Sequence, residues 1–225
     1  AVFADGDRAY VSTIGSLWSS DGTPGGTQAE PVSGIEHRFI TSKDGDQFWF
    51  RRHSIFLDLV RYRPSDQTLE VLDTWNPDGS ANHADFDALE SVVVGETIYY
   101  YIEDSDNHRV KSHSLLPGSD PVLLYEHFNF NHKRVHNLAR CGDDVVFEAE
   151  TYDDNGLRTT AGLVGSTALV VGPYIPKEFI APFGSGAADA FLYLGPSGQG
   201  NTDLFHFDFA SSQSTQLTQF TSQPS

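Results

Sequence analysis

Ionisable side chains concentrate in four short stretches of this chain: GIEHRFI (34–40), NHADFDALE (82–90), NHKRVHNLA (131–139) and YIPKEFIAP (174–182). They carry the carboxylates Glu36, Asp87, Glu90 and Glu178. Two such groups held about 5 to 10 Å apart can cleave a glycosidic bond, one as acid and the other as base or nucleophile. His37, Asp85 and His136 supply hydrogen-bonding groups in the same stretches, and Trp75 lies just ahead of the second. An indole beside carboxylates and amides is the chemistry of glycan recognition by stacking, and Asn76, Trp49 and Tyr174 extend that set.

Metal chemistry is less specific. His127, His132 and His136 in YEHFNFNHKRVHN are spaced by five and four residues, but zinc needs three or four ligands converging in space, so loop histidines are the plainer reading. EDSDN (103–107) and YDDNG (152–156) offer oxygens to calcium without the DxDxDG form, and hairpin tips explain both. Calcium is therefore the single cofactor left open, and no metal site is assigned. No Gly-rich phosphate loop, HExxH or GxSxG is present. The one cysteine, Cys141, has no partner for an internal disulfide and reads as a small buried hydrophobe.

With 14 basic against 31 acidic residues the net charge is −17, which repels nucleic acid and anionic membrane surfaces. Apolar runs are far shorter than the roughly 20 residues needed to span a bilayer, so no membrane insertion is expected. AVFADGDRAY shows neither a basic nor an apolar leader region, and the missing initiator Met suggests a matured or excised chain. The scattered acids suit solubility in an extracellular setting.

What positions these residues is a repeat. ADGDRAYV, KDGDQFWF, VVGETIYYY, RCGDDVVF and GSGAADAFLY each place a glycine with an acidic residue within three positions between apolar or aromatic segments, at Gly6, Gly45, Gly95, Gly142 and Gly186. The mean spacing is about 45 residues. Glycine supplies positive φ and aspartate bonds its own backbone, so each pair predicts a tight hairpin. Two further short runs follow each hairpin, and helical periodicity is nearly absent. In LFHFDF the alternation places Phe205, Phe207 and Phe209 on one face and His206 and Asp208 on the other.

Four strands per unit and about 45 residues per repeat predict an all-β fold, a five-bladed β-propeller of four-stranded antiparallel blades forming a single domain. The approximate blades are 1–34, 35–82, 83–130, 131–177 and 178–225. The four ionisable stretches then lead into innermost strands, where propellers usually bind ligands.

One stretch is more specific. LWSSDGTPGGT (17–27) fits the end of a third strand, at Leu17 and Trp18, followed by the turn into a fourth. Asp21-Gly22 starts that turn, Thr23 and Thr27 offer hydroxyls to nearby backbone, and Leu17 and Trp18 are both expected to be largely buried between neighbouring blades. The stretch resembles the ELWxxDGTxxGT repeat of large secreted bacterial proteins with propeller-like arrays. Leu17, Trp18, Asp21, Gly22, Thr23, Gly26 and Thr27 match, with Ser16 in place of the glutamate. The other units keep only the hairpin rhythm, as in SDQTLEV and PGSDPVLL. The resemblance implies architecture and an extracellular or cell-surface location, not a reaction.

The reading is a non-catalytic recognition or scaffolding module for a glycan or protein ligand. Its alternative is a carbohydrate-active enzyme, a glycoside hydrolase or lyase, using Glu36, Asp87, Glu90 and Glu178.

Overall fold

The structure, a computed structural model, describes residues 2–13, 15–32, 36–53, 56–75, 90–104, 107–128, 135–141, 143–153, 156–164, 169–174, 178–183, 190–196, 202–208, 211 and 213–219. Among these residues there is no helix, and therefore none long and apolar enough to cross a membrane. The strands form four-stranded sheets in which each strand pairs with its neighbour in sequence.

The first sheet comprises β1 (Val2–Asp5), β2 (Arg8–Thr13), β3 (Ser16–Ser20) and β4 (Gln28–Glu30), and the second β5 (Glu36–Lys43), β6 (Asp46–His53), β7 (Phe56–Arg63) and β8 (Thr68–Trp75). The third contains β9 (Ser91–Val94), β10 (Thr97–Asp104), β11 (Asn107–Ser114) and β12 (Val122–Phe128). The fourth contains β13 (Val135–Cys141), β14 (Asp144–Asp153), β15 (Gly156–Val164) and β16 (Leu169–Tyr174). The fifth contains β17 (Glu178–Phe183), β18 (Ala190–Pro196), β19 (Thr202–Asp208) and β20 (Gln213–Gln216). The described residues thus give an antiparallel, all-β chain of sequential four-stranded meanders.

Turn chemistry sets the first hairpin of the first three sheets. Lys43 pairs with Asp46 across Asp44 and Gly45, whose φ angles are 54° and 86°. Two successive positive φ values match the right-handed twist of the flanking strands, which is why Asp-Gly stands there. The turns at Gly6 and Gly95 are also two residues long, closed by Asp5 with Arg8 and by Val94 with Thr97. Gly142 and Gly186 lie outside the described residues.

The chain divides into two compact units. One comprises Ala1–Leu89, Ile102–Ser105 and Ser114–Pro121; the other comprises Glu90–Tyr101, Asp106–His113 and Val122–Ser225. In the first unit, Tyr10, Leu17, Val32, Trp49, Val60 and Tyr62 form a buried cluster that joins the first two sheets. Phe3 stacks on Tyr10 and Phe39 and meets Trp49 edge-on, with centroids 4.9, 4.0 and 4.5 Å away. The edge-on contact with Trp49 sets the negative face of one ring against the positive edge of the other. In the second unit, Val94, Tyr101, Val110, Val145 and Phe147 form the cluster, with Tyr125 tilted over Phe147 at 5.0 Å.

One expectation needs correction. Leu17 and Trp18 do not end the third strand, and Trp18 is not buried between sheets. Both lie inside β3, with Leu17 fully buried and Trp18 41% exposed. Successive strand residues point to opposite faces, so a single core cannot take both. Trp18 stands instead in a cross-strand row with Val2, Val11 and Ala29 on the outer face of the first sheet. All four members of that row are exposed.

Candidate functional site

The residues singled out by their chemistry occupy equivalent places in the connectivity. Glu36 and His37 open β5, Glu90 directly precedes β9, His136 is the second residue of β13, and Glu178 opens β17. Each therefore stands at the lead-in to the first strand of its sheet. Backbone register sets Glu36 opposite Arg52 and His37 opposite Arg51. It likewise sets His136 opposite Glu148, and Glu178 opposite Leu194. Asp85 and Asp87 lie outside the described residues, as do Asn76, His132 and the tips of the EDSDN and YDDNG hairpins. His127 falls in β12, opposite His108. Among the described residues no three His, Cys, Asp or Glu side chains converge as a metal-binding group.

Among the described residues, Glu90 bonds to two neighbouring strands. Its side-chain oxygen accepts the backbone N–H of Leu138, in β13, at 2.6 Å. Its carbonyl accepts the N–H of Tyr101, in β10, at 3.0 Å. A carboxylate accepting a backbone amide is a charge-assisted bond, shorter and stronger than a neutral one. Glu90 thus ties the lead-in of the third sheet to the first strand of the fourth.

Trp75 closes β8 and is buried, with its ring edge-on to Phe50 at a centroid distance of 5.9 Å. Behind it runs a polar row that sequence reasoning did not single out. Arg51 donates through Nε (3.1 Å) and Nη2 (2.6 Å) to Asp58 Oδ2, and Thr74 Oγ1 donates to Asp58 Oδ1 at 2.8 Å. Arg51, Asp58 and Thr74 are cross-strand neighbours, and His37 precedes them in the same row by backbone register. Arg51 and Asp58 are both buried. A buried ion pair is tolerated only when its remaining donors and acceptors are met, and here Thr74 meets the second carboxylate oxygen. The legible signal was Asp58 itself, one acid inside the apolar run FLDLV.

A second buried group centres on Glu30, at the end of the short strand β4. Its carboxylate accepts the hydroxyls of Ser19 and Tyr62 and, at 3.4 Å, Gln28 Nε2. Arg8 Nη2 donates to Ser19 Oγ at 2.8 Å and to the carbonyl of Gly26 at 3.1 Å. Because Tyr62 belongs to β7, this cluster joins the first sheet to the second. Burial raises the Tyr62 phenol well above the usual tyrosine range, and the Glu30 hydrogen bond and charge push it the same way.

The DGTPGGT turn is closed on itself. Asp21 Oδ1 accepts the N–H of Thr23 at 2.9 Å and its hydroxyl at 2.7 Å. Thr23 Oγ1 accepts the N–H of Gly26 at 3.0 Å, and Thr27 Oγ1 donates to the Thr23 carbonyl at 3.0 Å. Gly22, at φ 88°, supplies the left-handed residue that lets Asp21 and Thr23 meet. The Thr23 hydrogen bonds hold the Asp21 carboxyl below its ordinary range.

The same turn recurs where its sequence is disguised. In the β7–β8 connection, Asp66 Oδ1 accepts the N–H of Thr68 (3.2 Å) and its hydroxyl (2.6 Å), across Gln67 at φ 56°. After β19, Asp208 Oδ1 accepts the N–H and hydroxyl of Ser211 at 2.7 and 2.8 Å. The recurring unit is an acid bonding a hydroxyl residue two or three positions on, and it outlasts the glycine that makes it recognisable.

No protein-family model and no curated protein matches the chain. Its backbone is similar to that of dipeptidyl peptidase 4 from Porphyromonas gingivalis, with TM-score 0.57 and 11% identity over 90% of this chain and 29% of that one. A structure from a study of two prolyl endopeptidases matches with TM-score 0.49 and 11% identity, over 93% of this chain and 32% of that one. The N-terminal domain of Nup159 matches with TM-score 0.49 and 10% identity, over 95% and 60%. The chain thus spans 29 to 60% of the length of these structures. At 11% identity the similarity to the Porphyromonas gingivalis peptidase concerns fold alone, and the class it defines is β-propeller-like and all-β.

Proposed function

We propose that the chain is a non-catalytic recognition or scaffolding module, extracellular or on the cell surface, that binds a glycan or protein through its strand lead-ins. Its five sheets are, on this reading, the blades of a five-bladed propeller, and LWSSDGTPGGT is a diverged copy of the ELWxxDGT repeat. The observation that carries the reading is Glu90. Through Oε2 this carboxylate accepts a backbone amide of another sheet at 2.6 Å, a charge-assisted tie between strands that supports a structural role for it. The DGT hydroxyls likewise bond within their own turn, which supports a structural role for the motif.

The test is a panel of polysaccharides scored for both retention of the protein and release of reducing ends. Retention without release is the expected result. Release that disappears in Asp87→Asn or Glu90→Gln, with folding intact, would replace this reading by glycoside hydrolysis or elimination at the lead-ins. Neither retention nor release leaves scaffolding toward a protein partner, read next by pull-down with the purified chain.

A further inference from the structure

We draw no further inference here: the strongest candidate, the outer face of the first sheet on which Val2, Val11, Trp18 and Ala29 make one exposed cross-strand row, carries nothing because nothing in the structure shows what covers it.

Discussion

The Asp21 carboxyl occupies the space that a Cβ on residue 26 would need; a methyl built on Gly26 would overlap both carboxylate oxygens and Cγ. The second glycine of the motif is therefore fixed by the side chain that opens the turn. Gly26→Ala must push Asp21 off the Thr23 amide and hydroxyl, at a cost of about 1 to 2 kcal/mol for the lost hydrogen bonds. Asp21→Ala alone should cost about 1 kcal/mol. The double variant should be less destabilised than the sum of the two, and urea denaturation of all three variants measures that coupling.

Leu17 and Trp18 should respond in opposite ways to truncation. Leu17 is fully buried in the cluster with Tyr10 and Trp49, so Leu17→Ala should cost about 2 to 5 kcal/mol. Trp18 is 41% exposed on the other face, and Trp18→Ala should cost about 1 kcal/mol or less. Thermal melts of the two variants decide it. A loss for Trp18→Ala as large as for Leu17→Ala would mean that the outer face is covered in solution.

Tyr62 should confer an alkaline limit on stability. An unfolded tyrosine ionises near pH 10.0, whereas the folded phenol, buried against Glu30, ionises at higher pH. Above pH 10 the unfolded state releases a proton that the folded state keeps. The contribution is thus fully present below the unfolded value and is lost as pH rises through the folded one. Tyr62→Phe should flatten this alkaline loss. At neutral pH it should cost about 1 to 3 kcal/mol, because the buried Glu30 carboxylate loses a donor. Urea midpoints for both proteins, at neutral pH and above pH 10, check both effects.

Gln67 takes φ 56° at the position that Gly22 fills in the first sheet. A side chain in the left-handed region costs about 1 kcal/mol, which glycine avoids. Gln67→Gly should therefore be neutral or stabilising by up to about 1 kcal/mol, after the added chain entropy of glycine is offset. Gly22→Gln, the reciprocal change, should destabilise the protein, and the pair of melting curves reports the sign directly.

Glu90→Ala should lower stability by about 1.5 to 3 kcal/mol, the range for a hydrogen bond to a charged group. Glu90→Gln keeps an acceptor oxygen for the Leu138 amide and should lose less. Equal losses in the two variants would show that the charge, rather than the acceptor, makes the tie.

The strand and turn pattern was legible because it is local. Asp44-Gly45 is readable because only a few residue types accept two positive φ values, and the alternation Phe205, His206, Phe207 is readable because strand side chains alternate in direction. The sequence by itself therefore determined an all-β chain of antiparallel hairpins and the lead-in places of Glu36, His37, Glu90, His136 and Glu178. Which face of each strand is covered depends on the neighbouring sheet, and one chain's pattern does not carry that. Trp18 was expected between blades, yet the aromatic cluster of Phe3, Tyr10, Phe39 and Trp49 fills the covered side and leaves Trp18 on the other. Nor does spacing disclose that Glu30 meets Tyr62, 32 residues away, or that Glu90 meets Leu138, 48 residues away. Those contacts exist only once sheets pack and buried carboxylates must find donors, and tertiary structure alone decides which donors are within reach.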